Sequence, residues 1–191
     1  MAGTIIVVGL GPGDESGIPL GTLRLLREAD KIRLRTEKHP VVNWLRREGI
    51  AFQTFDHLYE AHDDFESVYG AIAESLLQEA GSGATLVYAV PGHPMVAERS
   101  VRMLLAKGPE RGVKIDVRGG GSFLDTAFAR LGIDPVEGFA MLDGTALEAS
   151  RIDPRLHLIV GQVYDRMVAS DVKLALMEVF PDEYPVTVAS C

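Results

Sequence analysis

Short apolar runs alternate along the first part of the chain with segments of helical periodicity. Residues Thr4–Val8 are mostly β-branched and stop at Gly9, a pattern typical of a buried parallel strand. From Leu20 to Ala29 the apolar residues recur at helical spacing, and Ile32–Leu34 follows as a second short run. The chain is therefore predicted to begin with a strand, a loop, a helix and a strand.

The same alternation continues to residue 117. The pattern predicts helices at Val41–Arg47, at Phe65–Ala80 and from Met95 and Val96 to Leu105, with strands at Ala51–Thr54, Ala84–Ala89 and Val113–Val117. Strands that alternate with helices form a parallel sheet with helices on its faces. We therefore expect an α/β fold with a mainly parallel sheet in an N-terminal αβα lobe.

A glycine-rich segment, Arg118–Gly121, is the predicted boundary between two lobes, because consecutive glycines are costly to order inside an element. The lobes would cover residues 1–117 and 118–191. The second lobe is predicted to contain a helix at Phe123–Leu131, strands at Phe139–Leu142 and Leu156–Val160, a helix at Val168–Val179 and a strand at Val186–Ala189. Because the chain would end on a strand, we expect this α/β lobe to be truncated and the polypeptide to continue.

Composition narrows the classes of partner. The net charge of -8 argues against nucleic acid, which needs a basic binding face. The single cysteine, Cys191, cannot form an internal disulfide, and the chain starts without a signal peptide, so a cytoplasmic protein is predicted. No apolar run reaches the roughly 20 residues that a membrane helix needs.

The loop Gly9–Asp14 directly follows the first strand. A glycine-rich turn at that place brings backbone N–H groups close to a ligand at the carboxyl edge of a parallel sheet. A dinucleotide-binding loop would carry a third glycine in place of Asp14 and would open a helix at once, whereas Pro12 interrupts this turn. The alternative is a tight turn in which Asp14 forms an Asx turn.

Two further loops follow predicted strands. In Val90–Pro94, Gly92 permits close backbone approach and Pro94 suits the first turn of the next helix; alternatively, His93 is only a residue near the helix cap. In the third loop, Ser122 and Asp125 have the spacing of a capping box. A residue that caps a helix still leaves neighbouring backbone groups available to a ligand.

In this order, the three loops resemble the tetrapyrrole methylase family, the class III S-adenosylmethionine-dependent methyltransferases. The family has GxGPGD after the first strand, a G-D-P loop after the fourth main strand and P-G-x-S/T at the start of the second lobe. The match covers essentially the whole chain, and GLGPGD is its most specific part. Residues 34–42, 90–98 and 162–173 resemble the YabN-type branch, whose methylase-like domain is fused to a MazG nucleoside triphosphate pyrophosphohydrolase.

The resemblance implies two αβα lobes, S-adenosylmethionine in the cleft between them, and a homodimer. Three positions depart from the family pattern: His93 stands in place of an aspartate, Gly120 in place of the proline of the second-lobe motif, and Phe123 in place of a small residue. The acidic metal-binding motif of MazG is absent, so we expect no nucleotide hydrolysis from these residues. The implied contacts to the methyl donor are Gly11, Pro12, Gly13, Pro91, Gly92, His93, Val96, Ser122, Phe123 and Gln162.

Methyl transfer from a sulfonium is an in-line displacement, which depends on alignment and needs no catalytic triad. Asp14 is the candidate for orienting a substrate. Arg33 and Arg35 lie two apart on a predicted strand, so both face one side and would pair with an anionic substrate such as a carboxylate-rich tetrapyrrole; alternatively, they belong to a solvated surface. No metal is predicted, because the spacing of His57, His62, Asp63 and Asp64 indicates a solvated loop.

Three functions remain open from the sequence. The first is a methyltransferase that acts on a tetrapyrrole or a similar anionic small molecule. The second is a catalytically silent domain that senses S-adenosylmethionine or a nucleotide for an attached MazG domain, as the changes at His93 and Phe123 favour. The third, an NAD-binding protein, is disfavoured by Pro12 and Asp14.

Overall fold

A computed structural model describes residues 3–189 of the chain. The chain divides into two compact units, one extending to Phe123 and the other beginning at Leu124. The lobe boundary predicted between residues 117 and 118 falls inside the first unit and stays a prediction. Cys191, the single cysteine, lies outside the described residues.

The first unit is built on a sheet of five parallel strands. The strands are β1 (Thr4–Gly9), β2 (Ile32–Leu34), β3 (Gln53–Thr54), β4 (Thr85–Val90) and β5 (Lys114–Arg118). Their order is β3-β2-β4-β1-β5, with Ile6 of β1 opposite Val87 of β4 and Asp116 of β5. The first strand lies inside the sheet between β4 and β5, and the predicted α/β fold with a mainly parallel sheet is confirmed.

Helices cover both faces of this sheet because alternate side chains of β1 point to opposite sides. The helices are α1 (Leu20–Glu28), α2 (Pro40–Arg47), α3 (Asp56–Ala61), α4 (Phe65–Gly81) and α5 (Arg99–Lys107). Ile6 and Val8 pack in a buried cluster with apolar residues of α1 and α2, whereas Ile5 and Val7 pack with those of α4 and α5. The carboxyl ends of the strands are thereby left to the loops.

The second unit holds a smaller parallel pair of strands. Its elements are α6 (Phe123–Leu131, which begins at the unit boundary), β6 (Phe139–Asp143), β7 (His157–Gly161) and α7 (Arg166–Met177). Leu142, Ile152 and Val172 are buried, and the rings of Phe128 and Phe139 meet edge to face at 5.0 Å. Within the described residues, no helix combines the length and apolar character needed to span a membrane.

Two predicted elements are wrong. The helix expected from Met95 and Val96 begins only at Arg99, because the preceding segment turns through Ala97 with a φ of 53° and so cannot be helical. Pro94 consequently lies outside the helix. The strand expected at Val186–Ala189 is not formed: Val188 is 92% exposed, and the segment pairs with no described strand. The apolar residues that alternate along this segment are exposed.

Candidate functional site

The three glycine-containing loops meet at one edge of the sheet. They follow β1, β4 and β5, which are neighbours, so parallel pairing places their carboxyl ends together. Gly11 and Gly92 exchange two backbone hydrogen bonds, with N to O distances of 3.3 and 2.9 Å. The N–H of Gly9 reaches the carbonyl oxygen of Gly119 at 3.4 Å. The first two loops and residues 119–123 of the third lie within the first unit.

Close backbone approach explains why glycine occupies these positions. A Cβ atom on Gly9 would lie 2.2 Å from the carbonyl oxygen of Gly92, and one on Gly120 would lie 2.8 Å from the Cα of Gly9. Gly11 has a φ of 81°, in the left-handed region that disfavours side chains. The three loops therefore pack against each other through bare backbone at the edge of the sheet.

The segment around Pro12 and Gly13 is open on one side. A Cβ on Gly121 would lie 3.5 Å from Cδ of Pro12, whereas a Cβ on Gly13 would meet no atom within 4 Å. A groove of about 490 Å³ lies beside these loops, within the range of small-molecule sites. Its lining includes Val8, Pro19, Thr22, Leu25, Arg118 and Gly119–Gly121.

His93 and Val96 lie in the turn between β4 and α5. His93 Nδ1 accepts the backbone N–H of Met95 at 3.1 Å, and the N–H of Val96 donates to the carbonyl oxygen of His93 at 3.0 Å. His93 thus stabilises a tight turn. The alternative interpretation, in which His93 lies near a helix cap, is wrong, because α5 begins only at Arg99. Pro91 and Gly92 start the same turn and are half-buried.

Asp14 forms the Asx turn that the sequence offered as an alternative. Its Oδ1 accepts the backbone N–H of Ser16 at 3.0 Å and the Ser16 hydroxyl at 2.5 Å. These hydrogen bonds hold the pKa of the exposed Asp14 carboxyl below its ordinary value, so it is ionised at neutral pH. A role in orienting a substrate stays a prediction.

The remaining predicted donor contacts fall in two places. Ser122, 7% exposed, immediately precedes α6, and half-buried Phe123 is the first residue of that helix. Gln162 belongs to the second unit, where it follows β7 with a φ of 61° and an exposed side chain. Its contact with the donor stays a prediction.

The interpretation of Arg33 and Arg35 as a shared anion site is wrong, and so is the solvated-surface alternative. Arg33 makes two hydrogen bonds to the carboxylate of Glu79, at 3.0 and 2.7 Å. Arg35 has its Nε 3.2 Å from Oε2 of Glu98. Their side chains are only 16% and 21% exposed, so both guanidinium groups are held by internal carboxylates.

Glu98 is the centre of a buried polar network that sequence reasoning missed. The side chain is 5% exposed, its Oε1 accepts the Ser100 hydroxyl at 2.7 Å, and that hydroxyl lies 2.8 Å from the hydroxyl of Tyr88. Burial raises the pKa of both Glu98 and Tyr88. The network fixes the end of the loop that begins at Gly92. An acidic residue placed between a glycine loop and an apolar helix was the available signal.

His39 is a second residue that sequence reasoning missed. It caps α2 through its Nδ1, which accepts the N–H of Val41 at 3.3 Å. Its Nε2 lies 3.0 Å from the carbonyl oxygen of Gly11, which only accepts, so the ring is neutral with the proton on Nε2. His39 therefore stabilises the loop that carries Pro12 through this hydrogen bond. The Asx-like position of a histidine before Pro40 was the only signal.

Protonation of His39 is expected to weaken the fold below about pH 6.5, the ordinary pKa of histidine. Burial and, less strongly, the charge of Arg35 hold the pKa of His39 below that value, against an opposing hydrogen bond to Gly11. The unfolded chain therefore takes up this proton first, and stability present above pH 6.5 is lost as the pH falls through the folded-state pKa. Urea unfolding of the wild type and His39→Ala between pH 7.5 and 5 measures this.

At pH 7.5, His39→Ala should cost about 1 kcal/mol, the value of a lost helix cap. The alanine variant should also show a weaker pH dependence than the wild type. The control is His62→Ala, which removes an exposed histidine and should leave the stability at pH 7.5 unchanged. Equal pH dependence in wild type and His39→Ala would contradict the prediction.

The side chains considered as metal ligands, His57, His62, Asp63 and Asp64, do not form a metal site. In the part of the chain that the structure describes, no three His, Cys, Asp or Glu side chains lie close enough to hold a metal ion. Asp64 instead caps α4, where its carboxylate accepts the N–H and the hydroxyl of Ser67 at 2.8 and 2.6 Å.

The loops that form this site lie in a region shared with a known protein family. The sequence profile of the Tetrapyrrole (Corrin/Porphyrin) Methylases matches residues 4–190. The chain belongs to the tetrapyrrole methylase family. All three glycine loops lie inside the matched region, so the tetrapyrrole methylase resemblance seen in the sequence is confirmed.

Among curated relatives, YabN of Bacillus subtilis (strain 168), described as an uncharacterized protein, is 47% identical over 190 residues. The alignment covers 100% of this chain and 39% of YabN. A methyltransferase/ribosomally synthesized type I borosin cyclic peptide precursor of Mycena rosella is 28% identical over 184 residues, covering 92% of this chain and 46% of that protein. The chain spans less than half the length of both relatives.

Two solved structures share the fold. Uroporphyrin-III-C-methyltransferase from Thermus thermophilus superposes with a TM-score of 0.65 and 26% identity, covering 95% of this chain and 74% of that chain. Diphthine synthase superposes with a TM-score of 0.64 and 17% identity, covering 92% and 71%. At 17% identity, the second likeness concerns the fold alone.

Proposed function

We propose that this chain binds S-adenosylmethionine and transfers its methyl group to a small-molecule acceptor. The observation that carries the proposal is the meeting of three loops through bare backbone, where a Cβ on Gly9 would lie 2.2 Å from the carbonyl oxygen of Gly92 and one on Gly120 would lie 2.8 Å from the Cα of Gly9. Glycine-rich loops at the carboxyl edge of a parallel sheet bring backbone donors and acceptors close to a ligand. Members of the tetrapyrrole methylase family use this methyl donor, which supports the proposal.

The residues proposed to hold the donor are those of the three loops that match the motifs of the tetrapyrrole methylase family. Backbone groups of Gly11, Pro12 and Gly13 would contact it from one loop, those of Pro91, Gly92, His93 and Val96 from the second, and those of Ser122 and Phe123 from the third. The donor supplies an activated methyl group when bound. The chain contributes by holding both reactants in line and excluding water, and effective molarities for such alignment reach about 10⁵ M or more.

The proposed acceptor is a tetrapyrrole or a similar anionic small molecule. Support comes from uroporphyrin-III-C-methyltransferase, which shares the fold at 26% identity over most of this chain. Asp14 is proposed to orient the acceptor, because its carboxylate is exposed and ionised beside Pro12 and Gly13.

Calorimetric titration with S-adenosylmethionine, S-adenosylhomocysteine, NAD and ATP tests the donor assignment. We expect saturable binding of the first two alone. Gly13→Val should weaken that binding about tenfold or more, since its side chain would enter the open space while the fold accommodates it. Gly70→Ala, a change on α4 with no neighbour within 4 Å, is the matched control and should bind normally. Absence of binding by the wild type would overturn the proposal.

A second candidate is a silent domain that senses S-adenosylmethionine or a nucleotide for an attached MazG domain. The observation that favours it is His93, whose Nδ1 is already engaged by Met95 at a position where the family has an aspartate. The chain spans only 39% of YabN, and continuation into a MazG domain is part of this second proposal. Donor binding without transfer to any tetrapyrrole would favour this candidate. A homodimer and a cytoplasmic location belong to the same set of proposals.

A further inference from the structure

We infer that Arg35, Tyr59 and Tyr69 form a binding site for a carboxylate of the methyl acceptor. The inference rests on the proposed function, because it assigns the acceptor's place and chemical class. It replaces the shared site of Arg33 and Arg35 expected from the sequence with a different set of residues, brought together from β2, α3 and α4.

The cluster lies at the same edge of the sheet as the donor loops. Arg35 directly follows β2, and its backbone N–H donates to the carbonyl oxygen of Ala89, at the end of β4, at 3.0 Å. The loop that follows β4 carries Gly92 at its start and Glu98 at its end, and Glu98 contacts Arg35. The guanidinium is therefore one strand away from the backbone pair of Gly11 and Gly92.

Hydrogen-bond donors converge in this cluster. Nη1 of Arg35 donates to the hydroxyl of Tyr59 at 3.5 Å and to that of Tyr69 at 3.4 Å, both at the long limit of a hydrogen bond. Each phenol oxygen that accepts from Arg35 keeps its own O–H to donate elsewhere. Across residues 3–189, neither phenol donates to another residue. Two O–H groups and a guanidinium, each with donor capacity left, therefore lie close together.

Arg35 is also under-satisfied on its other side. Its Nε is buried and lies 3.2 Å from Oε2 of Glu98, yet the N–H is not aligned with that oxygen and makes no hydrogen bond. Buried donors of native proteins are nearly always paired. A guanidinium with two long hydrogen bonds and one unaligned N–H has unused capacity for a planar carboxylate, its preferred partner.

The nearby carboxylates already have partners, and Glu98 is itself paired with Arg35 at 3.2 Å. Glu98 accepts from Ser100, and Asp56 accepts the hydroxyl of Thr36 at 2.6 Å and the N–H of Glu37 at 2.7 Å. Burial raises the pKa of Tyr59 to about 12, so its hydroxyl stays protonated and remains a donor at neutral pH. The hydrogen-bonding groups left over on Tyr59, Tyr69 and Arg35 are donors. A carboxylate, which only accepts hydrogen bonds, suits them.

An aromatic surface adjoins these donors and indicates the body of the ligand. Phe65 is 61% exposed and stacks on Tyr69, with ring centroids 6.2 Å apart at 16°, and Tyr69 meets Tyr59 edge to face at 6.4 Å. A planar conjugated ring would extend this stack while its carboxylate reaches Arg35. The inferred ligand class is therefore an aromatic or conjugated carboxylic acid.

The test uses benzoate and its neutral counterpart benzamide as probes. Tyrosine rings are labelled with ¹³C in this chain, which has five tyrosines, and the signals of Tyr59 and Tyr69 are assigned from single Tyr→Phe variants. We expect benzoate to shift these two signals and to bind about tenfold more tightly than benzamide. Exposed Tyr164 and Tyr184, in the second unit, should not shift.

Variants separate the site from a general packing role. The double variant of Tyr59→Phe and Tyr69→Phe keeps both rings and removes only the O–H donors, so benzoate affinity should fall about tenfold or more. Arg35→Lys should weaken benzoate similarly, whereas Arg33→Lys, which alters the neighbouring pair with Glu79, should not. Loss of the preference for benzoate over benzamide, or unshifted Tyr59 and Tyr69 signals, would overturn the inference.

The experiment is independent of donor binding, because benzoate is titrated both with and without S-adenosylmethionine. A chain that binds benzoate at Arg35 but no S-adenosylmethionine would leave the carboxylate site standing and overturn the proposed methyl transfer. A chain that binds the donor but shows no shift of the Tyr59 and Tyr69 signals under either condition would overturn the carboxylate site and leave donor binding standing.

Discussion

A chain carrying Gly9→Ala is expected to lose about 3 kcal/mol of folding free energy and its binding of S-adenosylmethionine. The new Cβ would lie 2.2 Å from the carbonyl oxygen of Gly92 and 3.0 Å from Cδ of Pro94. A carbonyl oxygen in a loop fixed at both ends cannot move aside cheaply, so the cost falls at the upper end of that for overpacked sites. The exchange of hydrogen bonds between Gly11 and Gly92 would be displaced with it.

Urea unfolding gives the change in stability, and calorimetry at a temperature where the variant remains folded gives the change in donor affinity. The matched control is Gly70→Ala, because a Cβ on Gly70 of α4 meets nothing within 4 Å. That change should leave donor affinity intact and stabilise the helix by up to about 1 kcal/mol. If Gly9→Ala bound the donor as tightly as the wild type, the close approach of the two loops would have no part in binding.

The sequence predicted the elements of the first unit because hydrophobic periodicity and burial agree there. Thr4–Val8 and Ala84–Ala89 are mostly apolar runs, and the structure buries most of their residues in two neighbouring interior strands of the sheet. The carboxyl ends of parallel neighbours must lie at one edge, so the meeting of the glycine loops also followed from the pattern.

Prediction failed where backbone conformation or distant partners decide the structure. The start of α5 was placed too early because Met95 and Val96 continue the apolar spacing, while the left-handed turn at Ala97 leaves no trace in periodicity. Val186–Ala189 has the alternation of a strand but no neighbour to bury it. Local pattern specifies which side chains are apolar, and burial depends on what packs against them.

The polar residues of the site show the same limit. Two-residue spacing placed Arg33 and Arg35 on one side of β2, and both do face that side. Their partners, Glu79 and Glu98, come from parts of the chain more than 40 residues away along the sequence. Charge neutralisation by such distant carboxylates is decided by the tertiary fold, so an arginine pair on a strand does not by itself indicate an anion site.

The buried pair of Arg35 and Glu98 should make Glu98→Gln strongly destabilising, by about 3 kcal/mol, because losing one member of a buried ion pair leaves the other charge uncompensated. Glu98 is 5% exposed and Arg35 21%, so solvent compensates little of the remaining guanidinium charge. The amide fills the same volume, so the loss reports charge and hydrogen bonding to Ser100 without a cavity. Urea unfolding at pH 7.5 measures it.

Glu79→Gln is the control, since it removes the carboxylate that pairs with Arg33 at a position 25% exposed. Its cost should be about 1 kcal/mol or less, as for a partly solvated pair. Combining Glu98→Leu with Arg35→Met should recover much of the stability lost in Glu98→Gln, because apolar replacement of both partners leaves no buried charge. Equal losses in Glu98→Gln and Glu79→Gln would mean that burial does not strengthen the pair, and the loop between Gly92 and Glu98 would then be held by its backbone alone.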